Sequence, residues 1–427
     1  MLKELKVRDI SFDRTINMLI VLYATLLPLG FAMANIALAL MSVFLVFYVS
    51  TNKNANSKHL IKDLNKIILF SVLFIVYAIS LIYSDNIDEG ISQVYKKSPM
   101  FFLTAFVYIF RRKIKTTTIY SAINMYGYSV TFVCVISIIL AVYNCYDYEP
   151  NILLHCTSDQ NLASVFISYH KLYFSLYITI TIFFVLFSGF YFSNKFEIFS
   201  IKSLQLLVLF ITLILLGGRN SLLVSIILII GIPSFYWLKN KKINNVVFYS
   251  FTVLTIIISS IYFNPKLQEK TKEAFNFQNQ YNINKQWGGL AVRKIIWDNS
   301  YITFKKNSII GIGAGDVQNE LNKSYQHYAE TTALNNGTYN THNDMLQIAI
   351  TTGIIGVLLY LFSLIYIFYL SFNNQNYFHC IFVILFFMSG LTESLLERDM
   401  GIRVYSFFTI LFFILKNQTN ENSSNTQ

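Results

Sequence analysis

Long apolar runs, separated by short polar punctuation, recur from one end of this chain to the other. Runs of that length read as helices that cross hydrocarbon. The pattern predicts spans at about 15–30, 32–50, 65–83, 97–110, 119–143, 171–192, 202–216, 221–238, 245–263, 345–370, 377–393 and 402–415. The first two can equally be one broken helix, and the fourth is short, with Pro99 near its start. The expected fold class is all-α: a polytopic integral membrane protein with about 12 transmembrane helices and one large, partly helical outward loop. Residues 1–263 hold helices 1–9, 264–344 the loop domain, and 345–416 helices 10–12. The tail 417–427 is polar and aperiodic, and is expected to be disordered and cytoplasmic. No internal repeat and no inverted pair of halves is visible.

Composition agrees with this reading. The chain is 55% hydrophobic and only 13% charged, about half the charge of a soluble domain. No small-residue cleavage site follows the first apolar stretch, so no removable signal peptide is expected. The net charge of +11 invites a nucleic-acid partner, but no basic stripe gathers on one segment. The lysines and arginines sit mostly in short loops between apolar runs. With the N-terminus inside, inward pieces outnumber short outward loops in these residues by about three to one, as the positive-inside rule requires.

Two outward segments stand out by length. The first, about Asn144 to His170, is acidic and contains Cys145 and Cys156, which an oxidising compartment would allow to bridge; two unpaired thiols are the alternative. Cys134 and Cys380 fall within apolar spans and read as small packing residues. In the second, Asn264 to about Asp344, "GLAVRKIIWDNSYITFKK" places Ile295, Ile296, Ile302 and Phe304 at rough helical spacing. "GIGAGD" at 311–316 looks like a phosphate loop, yet no strand precedes it and no Lys-Ser/Thr follows. It reads as a turn before a helix that Asp316 caps.

Candidate chemistry gathers on the outward side. In "LLGGRNSLL", Arg219 sits in a tight connection between apolar runs, where a lone guanidinium is costly. An always-charged fork there suits a phosphate or diphosphate; snorkelling to lipid headgroups is the structural alternative. In "THNDMLQIAI", Thr341 and Asp344 resemble a capping box, so a helix is expected from His342. Running to Leu370, it would be roughly 42 Å long against a core near 30 Å, standing His342 and Asn343 above the membrane. The helix N-terminus favours a neutral ring, as a general base needs; ordinary capping is the bland reading. Arg293 lies four residues before Trp297, and a loop arginine is usually solvated. His170, Tyr173 and Ser175 suit sugar hydroxyls or an interfacial aromatic belt. Glu393, Glu397, Arg398 and Asp399 lie in or beside a short loop, where an internal ion pair explains them equally well. No histidine spacing, DxD or HExxH pattern suggests a metal.

Taken in order, "LLGGRNSLL", "VRKIIW" before "GIGAGD", "THNDMLQIAITTGIIGVLLYL" and "TESLLERDMGIRVYSFF" resemble the O-antigen ligase and polymerase superfamily. The resemblance runs from about His170 to Phe413. It implies a bacterial inner-membrane glycosyltransferase acting on the periplasmic face, in lipopolysaccharide or other surface polysaccharide biosynthesis. The donor would be an undecaprenyl-diphosphate-linked glycan, the acceptor a sugar hydroxyl of lipid A–core or another glycan, with no cofactor or metal. Arg219 matches the family's diphosphate-binding arginine, Arg293 looks like its second arginine, and His342 like the histidine that activates the acceptor. Asn343, His170, Tyr173, Glu397 and Arg398 complete the expected substrate-binding set. "HKLYFS" resembles the family's "HPxYxS"-like element, with Lys171 in place of the proline. A polymerase of the same superfamily is the first alternative. The second is a flippase or other transporter, against which stand span cores nearly free of charge.

Overall fold

A computed structural model describes residues 2–51, 57–146, 160–167, 169–192, 196–217, 219–240, 289–325 and 339–415, with isolated positions 255, 262 and 268. All regular structure among the described residues is helical: α1 (Leu2–Leu26), α2 (Phe31–Thr51), α3 (Ser57–Phe70), α4 (Val72–Ser80), α5 (Ile87–Lys97), α6 (Pro99–Ile109), α7 (Thr116–Tyr146), α8 (Gln160–Ser164), α9 (Lys171–Phe192), α10 (Phe196–Leu216), α11 (Arg219–Asn240), α12 (Gly289–Lys306), α13 (Val317–Tyr325), α14 (Asp344–Asn373), α15 (Tyr377–Gly390) and α16 (Asp399–Leu415).

The expectation of about 12 spans is overturned. Among the described residues, four helical stretches are long and apolar enough to cross a membrane: Phe12–Leu29, Phe31–Thr51, Thr116–Asn144 and Asp344–Asn373. A fifth arises if Leu64–Phe70 and Val72–Tyr83, bent by 72° at Ser71, count as one span. Apolar residues mark burial, and a helix can be buried by protein as well as by lipid. α6 has 11 residues, about 17 Å at ~1.5 Å per residue, well short of ~30 Å of hydrocarbon. α15 has only 14. α16 is the clearest case: every residue from Gly401 to Leu415 is buried, so its apolar surface meets other helices. In α9 and α10 the apolar stretches Lys171–Leu186 and Ile201–Leu216 are also short. The expected span 245–263, apart from the isolated positions 255 and 262, the Cys145–Cys156 bridge and the tail 417–427 lie outside the described residues.

The chain forms two compact units. The first comprises Met1–Tyr23, Phe31–Tyr120 and Gln278–Gln427. Within it α16 packs along α6, and α6 also meets α2 and α3. On α2 the small residues Ala34 and Ala37, with Met41 and Leu45, turn inward, while Met33, Ile36, Leu40, Val43 and Phe47 stay exposed. Small residues at a helix contact and large apolar ones outside suit a helix facing lipid. α14 is broken at Gly353, whose φ of 66° and ψ of −170° are accessible essentially to glycine alone. The break exposes backbone groups that a neighbouring loop satisfies. Ile312 and Gly313 donate N–H bonds to Ile350 and Thr351 (2.9 and 3.0 Å), while Ile354 donates to Ser308 (2.8 Å). "GIGAG" is thus a turn, with Gly311 and Gly313 at positive φ, and it fills a gap in a helix.

Asp316 does not cap α13 with its side chain. Its carboxylate accepts from the Ser84 hydroxyl and the Asp85 and Asn86 amides, tying the loop to the start of α5. On α12, Ile295 and Ile296 are buried against Val317, Leu321, Tyr325 and Ile350, whereas Ile302 is exposed. α12 and α13 are thereby anchored to the first turns of α14.

The second unit comprises Ala24–Gly30 and Ser121–Phe277. α9 packs on α10 and α11 through buried Phe174, Tyr177, Ile178 and Phe184. The Tyr126 ring meets Tyr177 and Phe184 edge-on. The buried Tyr169 hydroxyl donates to the Pro28 carbonyl (2.8 Å). Cys134 and Cys380, one in each unit, are free thiols and buried.

Candidate functional site

The site is built where the chain enters α14. The helix begins at Asp344, two residues later than the capping-box pattern implies. Asn343 is the N-cap, with extended backbone and a side-chain oxygen that accepts the Leu346 amide (3.1 Å). Its Nδ2 donates to the Leu391 carbonyl (2.9 Å), and its own amide donates to Ser394 Oγ (3.0 Å). Thr341 Oγ1 donates to the Asn343 carbonyl (2.8 Å) and lies 3.1 Å from Ser394 Oγ. Residues 341–343 are therefore riveted to the 391–394 segment.

Held between these bonds, His342 adopts φ 45°. A non-glycine residue in the left-handed region costs on the order of 1–3 kcal/mol and persists where its surroundings fix it. Its amide donates to Asn340 Oδ1 (3.1 Å), and its side chain remains 20% exposed. Nδ1 lies 3.0 Å from both carboxylate oxygens of Glu393, itself only 8% exposed. Arg293 reaches the same carboxylate from α12, with Nη2 3.7 Å from Oε2. That is an ion pair beyond hydrogen-bond range. Arg293 and His342, 49 positions apart in the chain, thus share one carboxylate.

A carboxylate at Nδ1 can only accept, so in the neutral ring the proton sits on Nδ1. Nε2 then carries the lone pair. This is the arrangement of a general base oriented by an acid behind it.

Four residues further on, Glu397 is engaged by buried partners. Its Oε1 accepts from Lys97 Nζ (2.9 Å) and the Tyr77 hydroxyl (2.6 Å). Lys97 is fully buried, its ammonium 3.9 Å above the Tyr77 ring centroid. Between the two glutamates Asp344, also buried, accepts the Leu396 amide (2.9 Å). A Cβ at Gly390 would collide with the Asp344 carboxylate, so the connection closes over it only with glycine there.

The expected residues are distributed unevenly. Arg293, His342 and Asn343 meet at one place. Glu397 is the internal ion pair that its loop position left open. Arg398 is exposed beside it, and Asp399 instead lies 3.5 Å from Arg403 on its own helix. His170 is exposed and Tyr173 buried in the second unit, their rings 6.1 Å apart. Arg219 is the first residue of α11, also in the second unit; its side chain lies outside the described set. Glu393, the hub, was not among the expected substrate-binding residues. Its only signal in the sequence is its place in "TESLLERD". Among the described residues no group of three or more His, Cys, Asp or Glu is arranged to hold a metal.

Residues 204–361 match the family model described as O-antigen ligase. The chain carries an O-antigen ligase family domain. The matched stretch includes Arg219, Arg293, His342 and Asn343 and ends before Glu393. No curated protein matches the chain. The matched stretch overlaps α14, one of the helices long and apolar enough to cross a membrane, which supports a membrane location.

Proposed function

We propose that the O-antigen ligase family domain transfers a glycan from undecaprenyl diphosphate to an acceptor sugar hydroxyl at the periplasmic face of the bacterial inner membrane. The observation that carries this reading is the shared Glu393 carboxylate between His342 and Arg293. His342 Nε2 takes the proton of the acceptor hydroxyl as its oxygen bonds to the anomeric carbon. The carbon–oxygen bond to the diphosphate breaks, and the electron pair leaves with undecaprenyl diphosphate. Glu393 holds the ring in the required tautomer and stabilises the imidazolium as it forms. Arg293, partly exposed, sets its positive charge beside His342 to stabilise the departing diphosphate; the family resemblance assigns Arg219 the same task. The donor is already activated, so positioning and charge stabilisation supply most of the catalysis. In-line attack inverts the anomeric centre.

The test is reconstitution of the full chain in liposomes with undecaprenyl-diphosphate oligosaccharide and candidate acceptors. Nucleotide sugars are omitted, a chelator is present, and products are resolved by gel and mass spectrometry. Transfer to lipid A–core identifies a ligase, and ladders of lengthened lipid-linked glycan identify a polymerase. Movement of intact glycolipid across the bilayer with no transfer to any acceptor would sink the transferase reading.

A further inference from the structure

α5 is too short to cross a bilayer, with 11 residues, yet it is strongly two-sided. One face is engaged: Gly90 packs near Gly315, and Lys97 reaches Glu397. A neighbouring face, about 100° round the helix, repeats every four residues as Ile87, Ile91 and Tyr95, all exposed, Tyr95 at 70%. The turn before α5 adds Ile82, 85% exposed, and the neighbouring loop adds Ile309 (65%) and Ile310. These pieces are fastened together. Tyr83 donates its hydroxyl to the Ile310 carbonyl (2.6 Å), and Asp316 holds the amides of Asp85 and Asn86. A contiguous apolar surface on fixed elements marks an interaction surface.

Continuity with α14 says what covers it. Ile354 and Ile355 donate amides to Ser308 and Ile309, so the loop lies level with that turn of a spanning helix. α14 has 30 residues, about 45 Å, and overshoots ~30 Å of hydrocarbon by roughly ten residues. From Asp344 to Gly353 no large apolar residue is exposed; the exposed apolar face begins at Ile354 and Ile355 and continues with Leu358 and Phe362. The hydrocarbon boundary therefore falls near Gly353, where Ile309 and Ile310 sit. An amphipathic helix with isoleucines and a tyrosine beside that boundary has the character of an interfacial element.

We propose that α5 and the 308–313 loop form a ledge seated in the headgroup–acyl boundary of one leaflet, with the lipid surface as its partner. Because Lys97 ends α5 and binds Glu397, the ledge fixes the height of the 393–397 connection above the lipid. The inference stands on exposure and continuity and is independent of the reaction.

An environment-sensitive fluorescent amino acid placed singly at Ile91, Ile310 or Lys323 of the full chain tests it in phosphatidylethanolamine/phosphatidylglycerol vesicles. Lys323 is exposed on α13 and serves as the aqueous reference. Nitroxide lipids labelled shallow or deep in the acyl chain report depth, and iodide reports contact with water. Shallow nitroxides should quench positions 91 and 310 several-fold more than position 323, with iodide excluded. Iodide quenching equal to that at 323, or strongest quenching by the deep label, would overturn the proposal. Two probe positions keep the test intact if one variant fails to fold.

Discussion

Glu393 and Glu397 stand four residues apart on one short connection, and the fold treats them oppositely. Glu397 receives a buried ammonium at 2.9 Å and a phenol at 2.6 Å, both in hydrogen-bond geometry, from α5 and α4. Glu393 receives two partly exposed partners, a histidine with left-handed backbone and an arginine 3.7 Å away. A carboxylate that accepts from a fully buried ammonium and a buried phenol holds structure together. A carboxylate shared between groups that still reach solvent can orient chemistry. The difference separates two kinds of acidic residue that one loop carries, and substitutions can probe each kind.

The largest effect belongs to His342→Ala. Loss of a general base lowers turnover on the order of 10²- to 10⁴-fold, with protein level and thermal transition near wild type because the side chain is partly exposed. Wild-type turnover in this variant would dismiss His342 as the base. Lys97→Met should do the reverse, leaving Glu397, 10% exposed, without its cation at a cost of up to about 3–5 kcal/mol. Detergent-solubilised protein should melt earlier, and activity per folded molecule should change little. Lys97→Met combined with Glu397→Gln should recover most of the loss, since replacing both partners removes the stranded charge. If the double variant is no more stable than the single, the pair is not what seals this side.

Glu393→Gln comes next. The amide keeps the shape but presents a donor as well as an acceptor to Nδ1, so the ring samples the wrong tautomer. Turnover should fall on the order of 10²-fold, less than on removing the base itself. Because Glu393 acts through His342, kcat should fall while KM stays nearly constant, and Glu393→Asp should restore part of the rate. An equal loss in both variants, accompanied by a lower melting temperature, would return Glu393 to the structural class of Glu397. Gly353→Ala tests the frame behind both. Its backbone conformation costs roughly 1–3 kcal/mol for any other residue, and a Cβ would meet the Ile309 carbonyl. The amide bonds from Ile312 and Gly313 into the break should loosen, read as faster hydrogen exchange at those amides.

The same contrast explains what the sequence could and could not disclose. Apolar periodicity placed α2 and α7 within a few residues of their ends, and turn chemistry placed the "GIGAG" loop. Those signals are local. The span count failed because a run such as 402–415 is equally apolar whether lipid or protein surrounds it, and α16 is wholly enclosed by protein. Arg293 and His342 carried weak signals of their own, a loop arginine and a histidine at a helix start, and stood out through the ordered motifs that resemble the family. Glu393 was not, because nothing local distinguishes it from Glu397; only the partners brought by α12 and by the start of α14, or by α4 and α5, do so. Lys97, at the edge of an expected span, gave no sign of its partner for the same reason. The left-handed backbone of His342 follows from bonds to Ser394 and Leu391 that no local pattern encodes.

The smallest effect tests how His342 is held. Asn343 does two things at once: its oxygen caps α14 and its nitrogen tethers the cap to Leu391. Asn343→Ser keeps an acceptor for the Leu346 amide and loses the reach to Leu391; Asn343→Ala loses both. Loss of the cap is worth about 1 kcal/mol, so Ala should melt lower than Ser by about that amount. Activity should divide differently. If the tether to Leu391 positions His342 against Glu393, both variants lose turnover to a similar degree while only Ala loses the cap's stability. If Ser retains wild-type turnover, the Asn343 amide to Ser394 and the Thr341 hydroxyl are sufficient to present the imidazole, and the side chain of Asn343 serves the helix alone.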